Sequence, residues 1–314
     1  MPRRLPLLLG VCAVALVASS CGGGGTSNGG SNPNRASIAG LKAGAAQISV
    51  LSSGSPVNPG TKVYFGFDLI TKEGGVVTGG TPKVWLAKDD SSKPLGPFTA
   101  TWYPFTPAGE FDDSSPRSAL PGTYATEIQV PSTGNWIVAV TAESGGKPGA
   151  GTATMQATDQ SIPAQVGTKA ISIKTPVAHT EAEARQICTR SPPDPLHYIS
   201  LDKALTNGMP TVVAFATPLL CESQLCGPVV DEALKAFETI GKSKANFIHV
   251  EEFLPGPDLK PPAATLENAS PGFKAWGFQT EPWVIVIDGD GVIRARFEGP
   301  VTAPQIEAAL QPLL

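Results

Sequence analysis

The chain has 314 residues, a net charge of -4, only 16% charged residues and five cysteines. That length serves about two ordinary domains, each able to bury its own core. Charge this sparse forms neither a basic face that could neutralise phosphates nor an acidic tail, which argues against nucleic acid as a partner.

Arg3 and Arg4 precede an apolar run over residues 5–17, followed by Ala18, Ser19, Ser20 and Cys21. A charged start, a short apolar middle and a small-residue end are the layout of a secretory signal peptide over residues 1–20. Broken by Pro6 and Gly10, the run falls short of the roughly 20 apolar residues that a spanning helix needs. The Ala18-Ser19-Ser20-Cys21 end resembles the lipobox of bacterial lipoproteins. That resemblance implies cleavage before Cys21, lipidation of its sulfur and an extracytoplasmic protein anchored to the cell membrane. Ala18 stands where the family usually has Leu, so ordinary signal-peptidase cleavage of the same bond is the alternative. Residues 21–35, rich in Gly, Ser and Asn, cannot bury apolar surface and are expected to be a flexible linker. With Cys12 in the leader and Cys21 lipidated, Cys188, Cys221 and Cys226 remain, in a compartment where close pairs are normally oxidised.

Residues 36–176 read as an all-β domain, with short β-branched or alternating runs between Gly, Pro, Ser and Asp clusters. The clearest strands cover 62–70, 83–87, 122–130, 135–141 and 170–173. Tyr124 and Trp136, each two residues after a glycine, resemble the paired aromatics of immunoglobulin-like sandwiches. The resemblance implies a β sandwich with both rings in the inter-sheet core, serving as a spacer or docking module. Residues 36–178 contain no His and no Cys, and Met155 is their one Met. A copper site built from soft or imidazole ligands therefore has no donors there.

Residues 177–199 are expected to be a linker, and the pattern changes from residue 200 onward. A short helix is predicted at 200–206, an apolar strand at 211–216, an amphipathic helix at 228–240 and a buried strand at 245–251. After a Pro-rich loop at 254–264 come a helical turn at 273–276, two strands at 283–288 and 292–298 joined by Gly289-Asp290-Gly291, and a helix at 303–310. This order predicts an α/β domain over 200–314 with helices on both faces of a small mixed sheet.

Within it, the run from Ala214 through Cys221 and Cys226 to Gly227, Pro228 and Val229 resembles the active-site loop of the thioredoxin superfamily. Thr280-Glu281-Pro282, just before a strand, resembles the family's cis-proline turn. The resemblance implies a thioredoxin-like fold, Pro282 and Glu281 as the substrate-aligning segment, and thiol-disulfide exchange with exported protein thiols or disulfides. Val229 takes the position of the family's second cysteine, and Ala214 that of a buried Asp found in many members. Cys221, five positions before Cys226, is the compensating thiol, and the short loop makes a Cys221/Cys226 disulfide the expected pairing. Cys226, at a helix start ahead of Pro228, is expected to attack. Cys221, beside Glu222, is expected to resolve. Cys188 reads either as a lone semi-buried thiol or as a third thiol for the loop pair. A redox-inert binding module with a structural disulfide is one alternative. Sco-like copper handling, for which only His197 or His249 could join the cysteines, is the other. No metal or cofactor is assigned.

Overall fold

The computed structural model describes residues 37–107, 109–111, 114–115, 117–255 and 264–314. The expected leader, Cys21 and the linker 21–35 lie outside the described residues. After a short helix, α1 (Ile38–Lys42), the N-terminal half runs through eight strands: β1 (Ala46–Ser52), β2 (Lys62–Thr71), β3 (Lys83–Ala87), β4 (Leu95–Thr99), β5 (Thr101–Pro104), β6 (Gly122–Gln129), β7 (Gly134–Ser144) and β8 (Lys147–Ala157). They lie in the order β4-β3-β7-β8-β1-β2-β6-β5. Strand β1 is the joint. Its first residues, Ala46 and Gln47, pair parallel with β8, and the stretch from Ile48 to Ser52 pairs antiparallel with β2. Gly151 permits this close approach, because a Cβ there would sit 2.2 Å from the Ile48 carbonyl oxygen. Phe65, Phe67, Leu69, Tyr124, Trp136 and Val138 belong to one core. The Tyr124 hydroxyl donates to the Gly79 carbonyl (2.7 Å) and Trp136 Nε1 to that of Ser132 (2.8 Å), so both polar tips are satisfied and the rings pack.

The second half comprises α2 (Glu181–Ala184), α3 (Leu201–Ala204), β9 (Thr211–Phe215), α4 (Cys226–Ile240), β10 (Asn246–Val250), α5 (Pro271–Trp276), β11 (Trp283–Ile287), β12 (Ile293–Glu298) and α6 (Ala303–Leu310). Its sheet has the order β10-β9-β11-β12, with β10 parallel to β9 and the last two strands antiparallel to their neighbours. Every residue of β9, β10 and β11 is buried. Both faces are covered, which is why these strands read as near-continuous apolar runs. Val212, Ala214, Val284 and Val286 meet Val229 and Ala233 of α4 and Ile306 of α6. Val213, Phe215, Trp283 and Ile285 meet Phe273, Trp276 and Phe278 on the other side.

Two expectations are corrected. Residues 170–173 do not form a strand. Only Lys169 makes an isolated bridge, to Val292, and the Ala170 N–H donates to Gly291 (2.9 Å), so the segment crosses the β11–β12 turn instead of running along a strand. Residues 177–199 are a packed strap and not a linker. Cys188, Arg190, Asp194, Leu196 and His197 are buried, and the Leu196 carbonyl accepts the N–H of His249 (2.8 Å).

The two halves meet along α4. Glu232 accepts the N–H of Thr106 (2.5 Å) through one carboxylate oxygen and that of Ala303 (2.7 Å), the first residue of α6, through the other. Asp231 is ion-paired with Arg117 and, at 2.9 Å, with Arg190. The Ser118 N–H donates to the Gln224 carbonyl at 2.8 Å. The start of α4 is therefore enclosed on its polar side as well as its apolar one, with Asp231 1% and Glu232 2% exposed. No helix among the described residues is long and apolar enough to cross a membrane.

Candidate functional site

After β9 the chain turns at Thr217. Its hydroxyl oxygen accepts the N–H groups of Glu252 (2.7 Å) and Phe253 (3.0 Å) beyond β10, and its carbonyl accepts those of Leu220 and Cys221 (both 3.1 Å). This turn returns Cys221 to the start of α4, where it is disulfide-bonded to Cys226 with a Cα–Cα distance of 6.0 Å. Leu225, at the N-cap, has no capping side chain, and the N–H of Cys226 donates to Cys221 Sγ instead (3.3 Å). Ser223 Oγ is also 3.3 Å from that sulfur. A helix start carries unpaired N–H groups and partial positive charge. Here it is the Cys221 sulfur that receives an N–H from that end.

Accessibility separates the two sulfurs further. Cys226 is fully buried, Cys221 is 6% exposed, and it is Cys221 that lines a hollow of about 350 Å³ with Ser223, Glu252, Leu266, Thr280 and Glu281. The expectation gives Cys226 the attacking role, and the structure turns Cys221 toward the hollow. The helix start invoked for Cys226 serves its neighbour.

The Glu281–Pro282 peptide is cis, the isomer that the motif predicts, and it leads directly into β11. A Glu281 carboxylate oxygen lies within 4.8 Å of both sulfurs. Its Oε2 is buried and finds no hydrogen-bond partner among the described residues. Burial, reinforced by the neighbouring Glu252 carboxylate, pushes the Glu281 pKa up to about 10. Burial raises Glu252 as well. At neutral pH Glu281 is thus a protonated acid beside the disulfide. From the sequence, only the Glu281 backbone has an expected use. Its side-chain role depends on Glu252, which only the fold brings near.

Cys188 is a free, buried thiol whose sulfur is 3.3 Å from Asp194 Oδ2 and 3.9 Å from His249 Nδ1. The loop cysteines are bonded to each other, so Cys188 is not their disulfide partner here. The structure groups His197 and His249 with Cys188 and Asp194, whereas the loop pair has Glu281 as its third donor. The distribution of histidines required for Sco-like copper handling is therefore absent from the loop pair's donor group.

The strand order, the parallel first pair, the flanking helices and the disulfide at the head of α4 define an α/β domain built on a four-stranded mixed sheet. Among solved structures, a thiol-disulfide isomerase from Corynebacterium glutamicum is similar to this chain at 20% identity, covering 38% of this chain and 89% of that one, with a TM-score of 0.31. A thioredoxin-family thiol:disulfide interchange protein from Chlorobium tepidum is similar at 15% identity, covering 46% and 99%, with a TM-score of 0.26. No family model and no curated protein matches the chain.

Proposed function

We propose that the chain is an exported, lipid-anchored protein that carries out thiol-disulfide exchange through Cys221 and Cys226. The observation that carries this reading is a disulfide at a helix start with one sulfur facing a hollow and a buried acid beside it. A substrate thiolate attacks Cys221 Sγ, the Cys221–Cys226 bond breaks, and a mixed disulfide forms. The Cys226 sulfur leaves with the electron pair and takes the Glu281 proton. A second substrate thiolate then attacks the substrate sulfur of the mixed disulfide. Cys221 is released as a thiolate, stabilised by the Cys226 N–H and the Ser223 hydroxyl. The substrate dithiol is oxidised and the loop pair reduced; the reverse sequence reduces a substrate disulfide. Glu281 supplies the buried acid that Ala214 cannot. Pro282 and the backbone of Glu281 align the substrate, and exposed Leu266 at the hollow offers apolar contact.

Equilibration of the full chain in thiol-disulfide buffers tests this function. The loop pair should titrate with a potential above about -300 mV, in the range of exchange-active pairs. A potential well below that value would assign the bond to structure and leave a redox-inert binding module.

The N-terminal half is read as an immunoglobulin-like module whose eight strands form one continuous sheet joined through β1. Its role in this reading is to clasp α4 and hold the redox domain on its tether. The anchor rests on the leader pattern that ends at Cys21. Cys21→Ala should leave the protein unlipidated and missing from the membrane fraction. Normal processing with full membrane retention would contradict the anchor.

A further inference from the structure

Apart from the loop disulfide, four metal-ligating side chains converge in the strap: Cys188, Asp194, His197 and His249. All four are buried, and one donor atom from each lies within 4.8 Å of every other. The separations are 2.8 Å (Asp194 Oδ2 to His249 Nδ1), 3.3 Å (Cys188 Sγ to Asp194 Oδ2), 3.7 Å (His197 Nε2 to Asp194 Oδ1) and 3.9 Å (Cys188 Sγ to His249 Nδ1). A tetrahedral zinc with ordinary Zn–N, Zn–O and Zn–S bonds sets its donors about 3.3–3.7 Å apart. These four distances bracket that range.

A second observation points to a ligand. His197 is 3% exposed, and its Nε2 is buried without a hydrogen-bond partner among the described residues. That atom faces Asp194 at 3.7 Å, too far for a hydrogen bond. A buried ring nitrogen left unpaired is costly unless something else uses its lone pair. His249 is oriented for the same purpose. Its Nε2 lies 3.1 Å from the Ala216 carbonyl oxygen, which fixes the proton there and turns Nδ1 toward the cluster. A backbone carbonyl holding the far nitrogen of a ligating imidazole is the usual outer-shell arrangement. Glu251, also nearby, is already engaged with the N–H and hydroxyl of Thr189 (2.6 and 2.9 Å) and is left out of the set.

We propose that Cys188, Asp194, His197 and His249 form a structural site for one divalent zinc-like ion, separate from the redox pair. The donor charges suit it. A thiolate and a carboxylate cancel the 2+ charge and two neutral imidazoles complete the tetrahedron, so the buried complex carries no net charge. Binding releases the thiol proton of Cys188 and the proton that His249 Nδ1 shares with Asp194. Two hollows flank the cluster and give an ion its entry. One, of about 260 Å³, is lined by His197 and His249, and the other by Asp194 and His197. With the metal bound, the strap is pinned to β10 at His249.

The test uses the purified full chain, stripped with a chelator and titrated with Zn²⁺ or Co²⁺. One equivalent should bind, and the Co²⁺ form should show a thiolate-to-cobalt charge-transfer band. Cys188→Ser should lose that band. His197→Ala, whose Nε2 has no hydrogen bond to forfeit, should bind at least about 100-fold more weakly, since losing an outer-shell partner alone costs 10–100-fold. Zn²⁺ should raise the Tm of the parent chain and not that of His197→Ala. The Cys221→Ser/Cys226→Ser double variant should keep the full equivalent, which separates this site from the exchange chemistry. Failure to bind either ion would overturn the proposal. So would unchanged binding in both Cys188→Ser and His197→Ala, or loss of binding in the loop double variant.

Discussion

Asp231→Ala is expected to destabilise the chain by about 3–5 kcal/mol, the typical cost of removing one partner from a buried ion pair. Asp231 sits in the first turns of α4 and is 1% exposed. It holds Arg190, whose side chain is 2% exposed, and Arg117 from the loop after β5. Burial pushes the Asp231 carboxyl upward from its ordinary value, and the two guanidinium groups oppose that shift. Without the carboxylate, Arg190 keeps its bonds to the Pro192 and Phe111 carbonyls but loses its counter-charge in a closed site. Asp231→Asn should lose less, because an amide oxygen still accepts. Urea titration would show the loss as a fall in midpoint with little change in slope. A change within about 0.5 kcal/mol, as for an ordinary surface substitution, would mean that the pair does not hold α4 in place.

Glu281→Gln is expected to stabilise the protein at neutral and alkaline pH while slowing disulfide exchange by about 100-fold, the lower end of what a positioned acid contributes. The folded protein holds the Glu281 proton up to about 10, whereas an unfolded chain releases it near the ordinary value of 4.5. Below that ordinary value both states are protonated and Glu281 carries no penalty. Between the two values only the folded state is, so parent stability falls as pH rises through the window. Gln removes that slope, and the gain at neutral pH should be about 1–3 kcal/mol once partial solvent contact is allowed for. Thermal melts across the window check the first effect and exchange rates the second. Parallel pH profiles for parent and variant would show that Glu281 is not the proton carrier.

Much of the second half is legible because its strands are buried on both faces. The runs at Val212, Val213, Ala214 and at Val284, Ile285, Val286 announce themselves without alternation, and Pro282 marks the turn before β11. Strands β1 and β8 escape notice for a physical reason. β8 carries Gly149 and Gly151 where β1 must approach, so it reads as a loop. Asp231 and Glu232 read as the polar face of an amphipathic helix, yet both are buried, because their partners, Arg117, Arg190, Thr106 and Ala303, come from other elements of the fold. Cys188 and His249 look like isolated core residues for the same reason. The expected order of attack gives helix-start chemistry to Cys226, the cysteine inside the helix. The N–H points back to Cys221, a distinction that needs coordinates.

Trapping of mixed disulfides tests the central claim most directly. Cys226→Ser leaves Cys221 reachable from the hollow and removes the sulfur that would resolve it, whereas Cys221→Ser leaves only the fully buried Cys226. Expressed as the full chain and quenched with acid and alkylating agent, Cys226→Ser should accumulate mixed disulfides with other proteins through Cys221, and Cys221→Ser should accumulate none. Trapping through Cys226 alone would reverse the roles, and no trapping with either variant would contradict thiol-disulfide exchange as the function of this site.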